Sequence, residues 1–313
     1  MLNPEGMRLG RREFVLQCGL GALAVATARS ESRGTRLVLL GTAGGPSPKR
    51  LRAAPSQVIL VGDDAYLVDC GDGVARQLAL AGVPLSGIRA IFITHHHSDH
   101  NAGYGSLLLL GWVAGLRPTV DAYGPPPLVR MTALVGEMNA YDIETRIRDE
   151  GRPAFAGLVA PHELTAAGVV FERGGVKVTA ALVDHPPVRP AFAYRFDTPD
   201  RSIVISGDTA PSESLVALAR GADVLVHEVL YPPGVDRLVA DSPRAQRLRE
   251  HLVASHTPPA EVGRIAAAAG VRTLVLSHFV PGDDPSITDE MWTEGIAARF
   301  KGEVVVGKDL MVL

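Results

Sequence analysis

Ile91-Phe92-Ile93-Thr94-His95-His96-His97-Ser98-Asp99-His100 is the stretch on which the reading of this chain turns. An apolar run breaks off into the spacing His-x-His-x-Asp-His. Three imidazoles and a carboxylate thus fall within six residues at the end of a strand, where they can be delivered to one point. Nitrogen and oxygen donors gathered in this way are what two adjacent divalent cations of borderline softness require. His96 alternates away from its neighbours, which suits a structural role better than a ligand's.

Around that cluster lies a chain of 313 residues, 46% hydrophobic and 21% charged, enough for a sizeable globular core. Aromatic residues make up 5%, too few to suggest a stacking surface for single-stranded nucleic acid. A net charge of -3 gives no footprint for a polyanion. Arg11-Arg12-Glu13-Phe14-Val15-Leu16, followed by a Gly- and Ala-rich apolar stretch, resembles a twin-arginine export signal, with Ala26-Thr27-Ala28 as a small-residue cleavage site. Residues 1–28 are therefore expected to be a signal peptide, residues 29–313 one domain, and the protein periplasmic or secreted. Its removal takes three arginines and two glutamates, which leaves the remainder slightly more negative, with Cys70 as its one cysteine and no internal disulfide. The apolar stretch is too short and glycine-rich for a membrane span.

Outward from the cluster, strands are expected at 36–40, 57–61, 65–69, 88–94 and 120–123, with helices at 74–81 and 107–116. Residues 128–148 read as one amphipathic helix with Leu128, Met131, Leu134, Val135 and Met138 on a stripe, either core or part of a lid over 125–165. Two strands follow within 168–181, then strands at 191–196, 202–206, 224–229, 274–276, 303–306 and 310–313, with helices at 212–220 and 259–269. Meandering strands followed by strands alternating with helices occur in both halves without a Pro/Ser-rich linker, so two packed sheets with helices outside are expected. His185, Asp208 and His278 each come at or just past the end of an expected strand, so they can converge on one rim. Each also has an ordinary alternative. Asp208 could cap a helix, His278 could be a core histidine, and His162 competes with His185.

The His-x-His-x-Asp-His run resembles the most specific motif of the metallo-beta-lactamase superfamily. Gly41-Thr42, Leu67-Val68-Asp69-Cys70-Gly71-Asp72-Gly73, Tyr123-Gly124-Pro125-Pro126, Ser206-Gly207-Asp208-Thr209, Leu225-Val226-His227-Glu228, Ser255-His256-Thr257 and Leu276-Ser277-His278 carry the likeness in order through nearly all of residues 29–313. Within the superfamily it resembles the branch containing RNase Z, the transfer-RNA 3′-processing endonuclease, and related arylsulfatases and phosphodiesterases. The resemblance implies an α/β fold, a four-layer αββα sandwich, with two divalent metal ions at one edge, Zn2+ by default and Mn2+ or Fe as alternatives. It implies His95, His97 and His185 on the first ion, Asp99, His100 and His278 on the second, and Asp208 between them. It further implies His256 as the group that meets the scissile phosphate or protonates the leaving group, oriented by Glu228. The Ser and the Ala-Thr pair of that branch's flanking motifs are replaced here. Asp69 is either a carboxylate behind the ligands or a turn residue.

The expected chemistry is attack by a hydroxide shared by the two cations, with Asp99 orienting it and His256 assisting departure. The negative charge, the export signal and the lack of a clear basic Gly/Pro-rich arm argue against transfer RNA. The first expectation is hydrolysis of small phosphodiesters or aryl and alkyl sulfate esters, with no nucleic-acid partner. A lactonase or beta-lactamase, an RNase Z-type endonuclease and a non-catalytic metal-binding protein are the alternatives, and a homodimer is expected from the branch.

Overall fold

Alternation along the strands sets the layers. In β1 (Arg36–Gly41), Leu37 and Leu39 face one way and Val38 and Leu40 the other, and all four are buried. A strand buried on both faces must lie between two layers. The computed structural model describes residues 34–116, 119–240 and 245–313, and the export segment expected at 1–28 lies outside them.

The first sheet comprises β1, β2 (Ser56–Val61), β3 (Asp64–Val68), β4 (Ile88–Phe92), β5 (Val120–Gly124), β6 (Val159–Glu163) and, at its other edge beyond β1, the C-terminal β14. The second runs in the order β13-β12-β11-β10-β9-β8-β7. Its strands are β7 (Gly168–Arg173), β8 (Val176–Leu182), β9 (Phe192–Asp197), β10 (Ser202–Ile205), β11 (Val224–Leu230), β12 (Thr273–Val280) and β13 (Glu303–Val306), and β14 spans Met311–Val312. Leu37, Leu39, Phe92, Phe171, Tyr194 and Phe196 fill the space between the sheets. The ring of Phe92 lies within 5.2–5.4 Å of Tyr123, Tyr194 and Phe196.

Helices cover both outer faces. On the first sheet lie α1 (Val74–Leu80), α2 (Ser98–Asn101), α3 (Tyr104–Val113), α4 (Leu128–Met138) and α5 (Ala140–Glu150), whose Leu78, Leu107, Leu128 and Ile143 join one core cluster. Over the second lie α6 (Glu213–Ala219), α7 (Pro232–Val239), α8 (Ala245–Ser255), α9 (Pro259–Ala269), α10 (Asp289–Trp292) and α11 (Ile296–Arg299), with Leu215, Ile265 and Ile296 in another cluster. This is the four-layer αββα sandwich expected from the sequence.

Several elements differ from expectation. The single helix over 128–148 is two helices broken at Asn139, which ends α4 and starts α5. Of the apolar stripe, Leu128 and Val135 are core, whereas Leu134 and Met138 face solvent. Strand β6 was not anticipated because Pro161 breaks the strand pattern, but β6 is an edge strand, where proline is tolerated. His162 sits on this strand. Helices α7 and α8 were also not anticipated. No described helix is long and apolar enough to cross a membrane.

Candidate metal centre

Strand β4 ends at Phe92, and the chain then crosses the rim between the sheets. The Ile93 N–H donates to Tyr123 O at 2.7 Å, and Thr94 O accepts from Phe192 N–H of the other sheet at 2.9 Å. Thr94 is fixed further by Asp69, whose carboxylate accepts its N–H at 2.8 Å and its hydroxyl at 2.9 Å. His95 and His97 leave from this anchored bend, and the first turn of α2 delivers Asp99 and His100.

The remaining donors arrive from the second sheet. His185 follows β8, and Asp208 follows β10 through Gly207, whose φ is 59°. A Cβ at Gly207 would stand 2.7 Å from Phe192 O and 3.0 Å from Thr94 Cβ, so only glycine passes between the sheets there. Gly207→Ala is accordingly expected to cost at least about 1–2 kcal/mol from the left-handed backbone alone and to shift Asp208. A chemical melt of the metal-free protein with a stability equal to the parent's would count against this.

His278 lies inside β12, not beyond it, because that strand runs on to Val280. Ser277 pairs with Glu228 and Phe279 with Val229, so His278 is the extra residue of a bulge, with φ 46°. A bulge leaves one residue out of the ladder and re-aims its side chain, here toward the rim.

The structure brings the expected residues into two groups that share Asp208. Donor atoms of His95, His97, His185 and Asp208 lie within 4.8 Å of one another, as do those of Asp99, His100, Asp208 and His278. Asp208 Oδ2 is 3.8 Å from His95 Nε2 and 4.0 Å from His185 Nε2. Its Oδ1 is 3.3 Å from His100 Nε2 and 3.2 Å from His278 Nε2. Asp99 Oδ2 is 3.4 Å from His278 Nε2 and accepts the Gly45 N–H at 2.9 Å.

The donor set fits divalent metal ions. His97 Nδ1 faces His95 Nε2 at 3.0 Å and His185 Nε2 at 3.1 Å. One nitrogen cannot satisfy two others with a single proton, but all three can point lone pairs at one cation. Asp208 Oδ1 is buried with no aligned hydrogen-bond donor among the described residues, although two imidazole nitrogens stand 3.2 and 3.3 Å away. Five imidazoles and two carboxylates in two interlocked sets suit borderline-soft divalent ions.

The protonation states agree. Burial, with His100 next, holds His95 well below the usual imidazole range. Burial, then His185, pushes His97 down to about 4, and burial lowers His185. The three histidines of the first group are therefore neutral and ready to ligate at neutral pH. Burial opposes charge on His100, but Asp208, Asp69 and Asp99 hold it well above the ordinary value.

Partners behind the ligands set their tautomers. His100 Nδ1 meets Asp69 Oδ2 at 2.7 Å, and His185 Nδ1 donates to Ser255 O at 3.0 Å. Asp69 thus braces both Thr94 and His100. His256 is buried, with Nδ1 3.2 Å from Glu228 Oε1. The contact is an ion pair rather than an aligned hydrogen bond, and Oε1 also accepts the Thr257 N–H at 3.0 Å. The His256 and His278 rings stack with centroids 5.7 Å apart.

Other histidines fall outside the ligand groups. His96 Nε2 meets Pro125 O at 2.7 Å, and His162 pairs with Asp121 at 2.9 Å on an exposed edge. His251 of α8 was missed by the sequence reading. Its ring lies 6.1 Å from that of His97, and it lines a cleft of about 200 Å³ with His256, Leu248, Leu252 and four of the expected ligands, His97, Asp99, Asp208 and His278. No spacing in the sequence ties α8 to this rim.

Similarity to known proteins follows the geometry. Residues 65–279 match the family described as beta-lactamase superfamily domain. The chain is 36% identical over 277 residues to the protein named Ribonuclease Z of Mycobacterium bovis BCG, covering 88% of this chain and 96% of that one. It is 35% identical, with the same coverage, to that of Mycobacterium tuberculosis H37Rv. The short form of human tRNase Z superposes with a TM-score of 0.64 at 23% identity, over 89% of this chain and 98% of that one, which speaks to the fold.

These relatives overturn the expectation of a small phosphate or sulfate ester as substrate, and with it the expectation of no nucleic-acid partner. Net charge misled because it sums the whole surface and says nothing of one groove. A hollow of about 400 Å³ lined by Lys49, Arg52 and Arg76 shares Gly45, Pro46, Ser98 and Asp99 with the histidine cleft. A family match over more than half of the chain, relatives above 30% identity along most of their length, and the sandwich with its metal-binding rim lead to one assignment: the chain belongs to the beta-lactamase superfamily, as a metal-dependent hydrolase close to ribonuclease Z.

Proposed function

We propose that this chain is an endoribonuclease of the ribonuclease Z type, cutting a phosphodiester at the 3′ side of precursor transfer RNA. His95, His97, His185 and Asp208 would hold one divalent cation, and Asp99, His100, His278 and Asp208 a second, with zinc the ion best matched to an imidazole-rich set. Such cations would supply a nucleophile at neutral pH and offset charge on the phosphate.

The observation that carries the reading is the buried His256–Glu228 pair beside the second group. A sugar oxygen is a poor leaving group and needs a proton as its bond to phosphorus breaks. His256 Nε2 would supply that proton, while Glu228 orients the ring from Nδ1 and favours its charged form. Asp99, fixed by the Gly45 N–H, would accept a proton from the attacking water. Lys49, half-buried, and the exposed Arg76 border the cleft and would meet neighbouring phosphates.

The test is incubation of the zinc-loaded protein with a precursor transfer RNA carrying a 3′ trailer. Release of the trailer as one discrete product, abolished by chelation, is expected. Intact precursor in the presence of fully metal-loaded protein would sink the reading.

A further inference from the structure

We propose that one buried water, gripped by Gln57, Ser277 and Glu228, is the partner that orients His278 for its cation. The proposal rests on the two-cation reading of the site and not on which phosphodiester the site cuts.

The other histidines that would ligate through Nε2 each have a protein partner at Nδ1. His100 has Asp69 at 2.7 Å, His185 has Ser255 O at 3.0 Å, and His95 has Thr94 Oγ1 at 3.1 Å. His278 Nδ1 is buried and has none among the described residues. An imidazole without such a partner is free to rotate or to carry its proton on the ligating nitrogen.

A small cavity of about 20 Å³ lies behind the ligands, lined by buried residues that include Gln57, Ser277, Glu228, His278, Asp208 and His100. One water needs roughly 10–15 Å³ of such space and two to four polar partners. Besides Asp208 Oδ1, four atoms of the lining residues are buried and unpartnered among the described residues: Gln57 Oε1, Glu228 Oε2, Ser277 Oγ and His278 Nδ1. All four residues are at most 4% exposed.

Their chemistry complements one water molecule. Gln57 Oε1 and Glu228 Oε2 are acceptors for its two protons. The Ser277 hydroxyl and the His278 Nδ1–H are donors for its two lone pairs. Asp208 Oδ1 also borders the cavity but is turned to the ligand nitrogens. No side chain among the described residues meets these four needs, and buried polar atoms are seldom left unpaired.

The placement gives Glu228 a second task. Its Oε1 takes the Thr257 N–H and faces His256, and its Oε2 would take the water that fixes His278. One carboxylate on β11 would thus position both the acid and a ligand of the second ion. Gln57 and Ser277 are positioning residues in this scheme, acting on His278 only through the water. Gln57 comes from β2 and Ser277 from β12, so the water also joins the two sheets.

The test measures metal affinity by chelator competition in the parent, Ser277→Ala, Gln57→Met and the double variant. The second ion is expected to bind about 10–100-fold more weakly in each single variant, with the first unchanged. The double variant should be no worse than the poorer single one, since both act through one water. A crystal structure of the metal-loaded parent should show a water within hydrogen-bond distance of all four atoms. Unchanged affinity in both single variants, or a cavity holding no water in that crystal, would overturn the proposal. Fewer than two ions bound by the parent would overturn the two-cation reading and this proposal together.

Discussion

Asp208→Ala is expected to bring RNA cleavage below detection, a loss of at least about a thousandfold, the order lost when one preorganised charge-stabilising group is removed. Metal content should fall from two ions to one or none. Asp208 is the only residue common to both ligand groups, with Oδ2 toward His95 and His185 and Oδ1 toward His100 and His278. Every other ligand removed leaves one group intact. Its loss also strips a negative charge from a rim crowded with imidazoles. Burial opposes that charge, yet His278 and His100 hold the carboxyl well below the usual range, so the surroundings are built around an anion. Asp208→Asn keeps the shape with a weaker, neutral donor, and should retain more metal than alanine while remaining severely impaired. Elemental analysis after gel filtration, with circular dichroism to verify folding, reads the result. Two tightly bound ions and near-parental cleavage in Asp208→Ala would remove Asp208 from the bridging position.

How far the sequence revealed this arrangement depends on what fixed each position. His95, His97, Asp99 and His100 were legible because they follow one strand at fixed spacing, a local property. His185 and Asp208 were legible in part, since each follows an expected strand, but the alternatives of His162 and of a helix cap fell away only when the fold brought both donors to one rim. Asp69 was not settled by sequence, since closing a turn and bracing Thr94 and His100 look alike in one dimension. The bulge at His278 was invisible for a stronger reason. It exists only as a mismatch between β12 and its partner β11, where two residues face one. Gln57 and Ser277 are ordinary strand residues in sequence, and only the meeting of two sheets turns their side chains toward one small cavity. The substrate misreading has the same origin. Net charge is additive along the chain, whereas a hollow that gathers Lys49, Arg52 and Arg76 beside the cleft exists only in the fold.

The last expectation concerns pH. Burial disfavours charge on His256, but the Glu228 carboxylate outweighs it and raises the ring to about 9 in the metal-free protein. A group that donates a proton works in its charged form, so kcat should be sustained below the His256 pKa and lost as pH rises through it. Cations in the adjoining groups repel the imidazolium and draw that limb down from about 9, without changing its direction. Glu228→Gln keeps the side chain's size but removes the charge that raises His256. Burial then acts unopposed by it, and the alkaline limb should move to lower pH. His256→Ala should lose about 10²–10⁴ in kcat, the usual worth of a positioned acid, and its remaining activity should lack that limb. KM should change far less than kcat in both variants, since proton donation matters only as the bond breaks. The same pair bears on folding. With its folded pKa raised above the unfolded value of about 6.5, His256 adds stability to the metal-free protein that is complete below about 6.5 and fades as pH rises toward about 9. Denaturant melts of metal-free parent and Glu228→Gln across that window separate the two effects. An alkaline limb that stays in place in Glu228→Gln would show that some group other than His256 delivers the proton.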